Sequence, residues 1–219
     1  MDYMNKTNSI PRDKLWMEVS NAITHGIAAI LGIVGLIFLI EKAIATPDFL
    51  ISEIISYIIY GSSLIILFLA STLYHSFIFT GHRALFQKID HASIYLLIAG
   101  SYTPYLMISV GGAIGYLFLT IVWLTAIAGI VFEVGWTNRF PKLSTYLYLI
   151  MGWLGIFLIY PLYHSLALPG LILLFVGGLF YSIGTIFYRM KDNGWMHVVW
   201  HIFVISGAAF MFFSIYLYV

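Results

Sequence analysis

The sequence contains no cysteine and very little charge. Without cysteine there are no disulfide bonds, thiolate zinc fingers, cysteine nucleophiles or iron–sulfur centres, and His, Asp and Glu are the remaining strong metal ligands. Only 9% of the 219 residues are charged, and Lys and Arg are too sparse to form a phosphate-binding stripe, so we expect no nucleic-acid partner. Hydrophobic residues make up 62% of the chain, too much for a water-soluble domain. The composition therefore predicts an integral membrane protein whose main partner is membrane lipid.

Seven apolar segments are each long enough to cross the hydrocarbon core, which takes about 20 helical residues. We predict an all-α polytopic membrane protein, with seven transmembrane helices in a single bundle at residues 19–40, 51–79, 89–110, 113–134, 143–160, 169–188 and 195–218. The breaks between them are short and rich in turn-forming residues, so consecutive helices should be neighbours. We expect a cytoplasmic N-terminal tail over residues 1–18 and a transmembrane domain over residues 19–219, with no cleaved signal.

Basic residues alternate between the two sides of this predicted bundle. Nine of the ten fall on the side of the N-terminal tail: Lys6, Arg12, Lys14, Arg83, Lys88, Arg139, Lys142, Arg189 and Lys191. Only Lys42 falls on the other side. Short loops rich in Lys and Arg stay in the cytoplasm. We therefore predict a multi-pass protein of the cell (plasma) membrane, with the N-terminus cytoplasmic and the C-terminus outside. No sequence pattern specifies an oligomeric state.

A pair of histidines opens the last apolar segment. His197 and His201 are four residues apart, which places both imidazoles on one face of a helix, and such a pair can bind one metal ion. His75, near the end of the second segment, is the best third ligand. Asp90 begins the third segment, and Ser71 lies one turn before His75 on the same helical face. The three histidines and Asp90 share the depth of the inner leaflet on the predicted topology, so we predict a single zinc site with the three histidines as metal ligands, Asp90 and Ser71 beside them.

Other polar residues of the spans leave more than one interpretation open. His25 lies at the same depth in the first span, and can be a fourth ligand, a hydrogen-bond donor behind the ligands, or a helix-packing residue. Glu18, two turns earlier, is a candidate interfacial partner. His91 points roughly 100° away from Asp90 on a helix and is expected at the membrane interface. Glu133 is expected to reach the headgroup region.

Small residues and proline predict features of helix packing. Pro104 should kink the third span and free the carbonyl of Gly100. Close approach of neighbouring helices is expected at four glycines, namely Gly152, Gly155, Gly177 and Gly178.

The predicted zinc site suggests hydrolysis. Three neutral imidazoles leave a fourth position for water, whose pKa zinc lowers to about 7. Asp90 can accept a proton from that water or orient it, as a general base. Ser71 can donate to a ligand, to Asp90 or to a substrate oxyanion. At the inner leaflet the natural electrophile is a lipid amide or ester. The alternative is a closed zinc site that only joins the helices.

Several motifs occur in an order that resembles the bacterial hemolysin III family, the prokaryotic branch of the progestin and adipoQ receptors and a distant relative of the alkaline ceramidases. The motifs are NAITHG at 21–26, STLYH at 71–75, DHASIY at 90–95, GSYTP at 100–104 and HVVWH at 197–201. The resemblance covers the chain from about residue 18 to its end.

This resemblance implies a seven-helix membrane protein that binds zinc near the cytoplasmic face. His75, His197 and His201 match the family's metal ligands, Asp90 matches the aspartate that holds the zinc-bound water, and Ser71 matches the accompanying serine. The family name implies cytolysis, the receptor relatives imply ligand-triggered signalling with ceramidase activity, and bacterial relatives imply a role in membrane-fluidity homeostasis. Beside the hydrolase, a non-enzymatic cytolytic or receptor-like protein with structural zinc is therefore the alternative.

Overall fold

The described part of the chain folds into seven long helices. The structure, a computed structural model, describes residues 10–47, 50–136, 143–190 and 192–219. The helices are α1 Arg12–Ala45, α2 Ile51–Ser76, α3 Arg83–Val110, α4 Gly112–Trp136, α5 Leu143–Ser165, α6 Leu168–Arg189 and α7 Trp195–Tyr218. Each is long and apolar enough to cross a membrane, and the described ranges contain no strand. The predicted all-α, multi-pass membrane protein is confirmed.

Apolar segments fold as helices in lipid because a helix satisfies its own backbone hydrogen bonds. Neighbouring helices in the chain pack together from α1 to α4, α6 packs against α7, and α7 returns to pack against α1. Large apolar side chains cover the outer surface, including Leu124, Ile150 and Phe157, which are 61, 64 and 72% exposed. Such a surface suits contact with lipid. We call the end of the bundle that holds the start of α1 and the end of α2 the N-terminal end.

Two helix boundaries differ from the prediction and affect the site. α1 begins at Arg12, directly after Pro11, so that residues 12–18 of the predicted tail are helical. α2 ends at Ser76, which places His75 in its last turn. Hydropathy marks where a chain becomes apolar, whereas helical hydrogen bonding continues into polar residues that reach the membrane interface.

Two helices change their winding along their length. The α-helical part of α3 ends at Pro104, which has no backbone N–H to donate, and a π-helical segment follows at Tyr105–Val110. The helix type thus changes at Pro104, and the kink that frees the carbonyl of Gly100 stays a prediction. Gly111 and Gly112 have φ angles of 57° and 58°, which glycine adopts without strain, and they turn the chain directly into α4. The middle of α5 is a 3₁₀-helix, Trp153–Leu158.

Candidate metal centre

Three histidines meet at the N-terminal end of the bundle. His75 comes from the last turn of α2, and His197 and His201 come from the first two turns of α7. One ring nitrogen of each lies within 4.8 Å of those of the other two. His75 and His201 are buried, and His197 is half-buried. This buried group can hold a metal ion.

The spacing of one pair of nitrogens matches tetrahedral coordination. The Nε2 atoms of His75 and His197 are 3.3 Å apart. Two imidazole nitrogens bound tetrahedrally to zinc at about 2.0–2.1 Å lie about 3.3–3.4 Å from each other. Neutral imidazole is also a ligand type that zinc, copper, iron and nickel accept. The donor set, and the spacing of His75 and His197, therefore fit a tetrahedral metal ion such as zinc.

Side chains of α1 contact the opposite nitrogen of two of these rings. Nδ1 of His75 lies 2.6 Å from Oε2 of Glu18, to which it can donate a hydrogen bond. Nδ1 of His201 lies 3.4 Å from Oγ1 of Thr24. With Nδ1 engaged in this way, Nε2 of each ring is left for a metal. A carboxylate on the far nitrogen fixes both the tautomer and the orientation of a metal-binding histidine.

The sequence predicts Glu18 only as an interfacial partner of His25. The contact with His75 joins residues 57 positions apart, and it exists because α1 is already helical at Glu18 and packs along α2. One signal was available in the sequence. Glu18 and His25 are seven residues apart, so they lie on the same face of a helix, and that face points at the metal group.

His25 lies beside the metal group without belonging to it. Its ring stacks on that of His201, with centroids 3.6 Å apart and planes at 5°, and meets the Phe68 ring edge-on at 5.0 Å. The side chain is buried, and neither ring nitrogen has a hydrogen-bond partner among the described residues. Of the three interpretations of His25, this geometry is typical of a packing residue.

Asp90 and Ser71 adjoin the histidines from α3 and α2. Ser71 is buried one turn before His75, and its hydroxyl is placed to donate to the Asp90 carboxylate. Asp90 lies close enough to His75 for the two groups to interact electrostatically, but it is not one of the three metal-spaced residues. The fold thus brings all five predicted site residues together from three helices.

A second polar cluster lies between α3, α4 and α5. Glu133 is fully buried, so the prediction that it reaches the headgroup region is wrong. Its Oε1 lies 2.9 Å from Nδ1 of His91, and its Oε2 accepts hydrogen bonds from Ser144 at 2.7 Å and Tyr148 at 3.4 Å. His91 therefore faces the protein as well as the interface. The packing of α5 against α3 and α4 covers the carboxylate and supplies its partners, which the sequence of α4 alone does not reveal.

One cavity is lined by histidines of the group, and a second lies behind their aromatic neighbours. The first, of about 430 Å³, lies at the N-terminal end and is lined by His75, His197 and polar side chains of α1 and α3. We call it the vestibule. The other, about 540 Å³, is almost wholly apolar and lies among α2, α3, α5, α6 and α7. Tyr188 and Trp200 line this apolar cavity, and the Tyr188 ring also contacts that of His197, with centroids 5.9 Å apart. The metal group therefore opens to the vestibule, and the Tyr188 ring separates it from the apolar cavity.

Known proteins resemble this chain along most of its length. The model of a family described as Haemolysin-III related matches residues 14–212. A hemolysin-3 homolog of Bacillus subtilis (strain 168) is 46% identical over 201 residues, which cover 92% of this chain and 93% of the relative. The hemolysin-3 of Bacillus cereus is 46% identical over 202 residues, or 92% and 91% of the two chains. The human monocyte to macrophage differentiation factor is 27% identical over an alignment of 227 positions, which covers 100% of this chain and 91% of the relative.

Proposed function

This chain belongs to the Haemolysin-III-related family, and we propose that it is a zinc-dependent hydrolase of a lipid amide or ester. The observation that carries the proposal is the place of the histidine group: two of its members line a polar vestibule, and Tyr188, which contacts His197, lines an apolar cavity. A purely structural metal has no need of either space. When bound, zinc supplies a Lewis acid and lowers the pKa of a coordinated water to about 7.

The residues of the site then take distinct roles. His75, His197 and His201 hold the metal through neutral imidazole nitrogens, and Glu18 keeps the proton of His75 on Nδ1. Asp90, beside the metal group, accepts the proton of the attacking water as a general base. Ser71 donates to Asp90, which holds the carboxylate in the orientation that proton transfer needs.

The two cavities hold different parts of the substrate, one apolar and one polar. An acyl chain fits the apolar cavity, because hydrocarbon gains free energy by leaving water and matches walls that carry almost no polar atoms. The headgroup lies in the vestibule, and the scissile carbonyl lies at the histidines between them. We propose that this end of the bundle faces the cytoplasm, so that the enzyme acts on the inner leaflet. Cleavage there would change the lipid composition, as a role in membrane homeostasis requires.

The test separates metal binding from turnover. Purified protein in lipid bilayers should contain one zinc per chain, and should release fatty acid from ceramide-like or phospholipid substrates. In Asp90→Asn, zinc should stay largely bound while turnover falls by about 10²-fold or more, the usual effect of losing a general base. The control is the triple variant His75→Ala, His197→Ala, His201→Ala, which should lose both the zinc and the activity.

Two results would reject the hydrolase. One is a fully zinc-loaded wild type that releases no fatty acid from any lipid tested, and the other is an Asp90→Asn variant as fast as the wild type. The metal would then be assigned to joining α2 and α7. Unchanged zinc content in the triple variant would show that the three histidines are not the metal site.

A further inference from the structure

The vestibule carries positive charge that the proposed chemistry does not use. Lys14, in the first turn of α1, and Arg83, the first residue of α3, line it together with His75 and His197. Neither cation forms an ion pair among the described residues. The two ion pairs found there are His75 with Glu18 and His91 with Glu133. Glu18 is the one carboxylate among the described lining residues, and it is bound by His75 at 2.6 Å. Two cations against one carboxylate leave the vestibule with a net positive charge, and neither cation has a carboxylate of its own.

Both cations are held at the vestibule by aromatic neighbours. Nζ of Lys14 lies 5.7 Å from the centroid of the Phe79 ring, and the Arg83 guanidinium lies beside the Tyr74 hydroxyl. Phe79 and Tyr74 also line the vestibule. A third source of positive potential is the start of the 24-residue helix α7, since Gly194, just before its first turn, is a lining residue.

Asn21 adds a buried hydrogen-bonding group to the same space. It lines the vestibule and is only 2% exposed, yet its amide oxygen has no hydrogen-bond partner among the described residues. A buried polar atom without a partner is costly, and such an atom at a binding cavity is available to a group of the ligand. An amide oxygen accepts a hydrogen bond, so it suits an N–H or O–H of a bound molecule.

We propose that the vestibule binds the anionic headgroup of an acylated lipid. A carboxylate or phosphate lies between Lys14 and Arg83, and an amide or hydroxyl donor of the same headgroup reaches Asn21. This rests on the proposed function, because the acyl chain then occupies the apolar cavity and the scissile carbonyl lies at the histidines. A neutral headgroup leaves both cations unpaired, and a cationic one is repelled by them. The substrate class is thereby an anionic acyl lipid, such as an N-acyl amino acid or an acyl glycerophosphate.

The experiment compares matched anionic and neutral probes. Full-length zinc-loaded protein is placed in nanodiscs of zwitterionic phosphatidylcholine, and binding is measured at low salt. One pair is N-hexadecanoylglycine and its methyl ester, and the other is 1-hexadecanoylglycerol 3-phosphate and 1-hexadecanoylglycerol. Within each pair the acyl chain is the same, and the headgroup is anionic in one member and neutral in the other. The anionic member should bind about tenfold more tightly, the scale of two exposed ion pairs.

The double variant Lys14→Gln, Arg83→Gln should lose this preference while keeping its zinc content and its thermal unfolding temperature. Arg189→Gln is the matched control, because Arg189 ends α6 at the same end of the bundle, lies 5.7 Å from the Tyr146 ring, and is not a lining residue of the vestibule. It should keep the full preference. A preference in one pair only would identify carboxylate or phosphate as the group recognised.

Equal binding of anionic and neutral probes to the wild type, or a preference that survives in the double variant, would overturn the proposal. Failure of the hydrolase gives a different result. A wild type that prefers the anionic probes but never cleaves them retains the headgroup site and loses only the enzymatic function.

Discussion

At the scale of single residues, the contact between Glu18 and His75 is the feature that distinguishes this metal group from three neighbouring imidazoles. A carboxylate that receives the Nδ1 proton makes the other ring nitrogen a better ligand and restricts rotation of the ring. The Glu18 side chain is only 15% exposed, so water competes little for it. We therefore assign Glu18 to positioning His75.

Replacing Glu18 by Gln keeps the size of the side chain but removes its charge. Zinc affinity should fall by about 10- to 100-fold, the usual effect of losing such a partner of a metal-binding histidine, as measured by competition with a chelator. Glu53→Gln is the control, because Glu53 lies in the first turn of α2, at the other end of the bundle. If Glu18→Gln holds zinc as tightly as Glu53→Gln does, Glu18 has no positioning role.

At the scale of helices, the position of α7 depends on how closely it approaches α6. A Cβ built on Gly177 would lie 3.1 Å from the carbonyl oxygen of Gly207, and a Cβ on Gly207 would lie 3.1 Å from that of Gly177. The neighbouring Gly178 has nothing within 4 Å. Of the four glycines expected at helix contacts, Gly177 and Gly155 lie at such contacts, whereas the expectation is wrong for Gly178 and Gly152.

Gly177→Ala should therefore destabilise the protein, because the backbone of α7 must move away from α6. The cost should be about 1–3 kcal/mol, the usual range for overpacking, and should appear as a lower midpoint of thermal unfolding in detergent. Gly178→Ala is the matched control one residue away and should leave the midpoint unchanged or slightly higher, because alanine favours helix. Equal midpoints for the two variants would show that α6 and α7 do not cross at Gly177.

At the scale of the whole molecule, charge is segregated between the two ends of the bundle. Among the described residues, Arg12, Lys14, Arg83 and Arg189 all lie at the ends of helices that meet at the N-terminal end. Lys42 lies at the opposite end, in the last turn of α1, where its Nζ donates to the carbonyl of Ile215 at 3.3 Å. This distribution is what the positive-inside rule requires of a bundle whose N-terminal end faces the cytoplasm.

We predict that the N-terminus is cytoplasmic and the C-terminus outside. Alkaline phosphatase fused after Val219 should be active, and a fluorescent protein that matures only in the cytoplasm should be dark at the same position. Fusions after Asp192, in the loop before α7, should give the opposite result. If the C-terminal fusions report a cytoplasmic location, the orientation is reversed and the vestibule opens to the outer leaflet.

The sequence by itself determined the number of helices and the histidine pair that opens α7. Each apolar run is long enough for one crossing, and a charged or turn-forming break separates it from the next. The spacing of His197 and His201 places their rings on one helical face whatever the neighbouring helices do, because that spacing follows from helix geometry alone. These features are local in the chain, so local patterns were enough to predict them.

Only the tertiary structure decided which face of each helix meets the protein. In a helix of a soluble protein the apolar stripe marks the side that faces the core. Lipid is as apolar as the core, so the hydrophobic pattern of a membrane helix does not distinguish its lipid-facing side from its core-facing side. The rotation of each helix about its axis brought Glu18 to His75, buried Glu133 beside His91, and placed Gly177 at the crossing that Gly178 faces away from. The vestibule and the apolar cavity have the same origin, since both are spaces between helices and belong to no single segment of the chain.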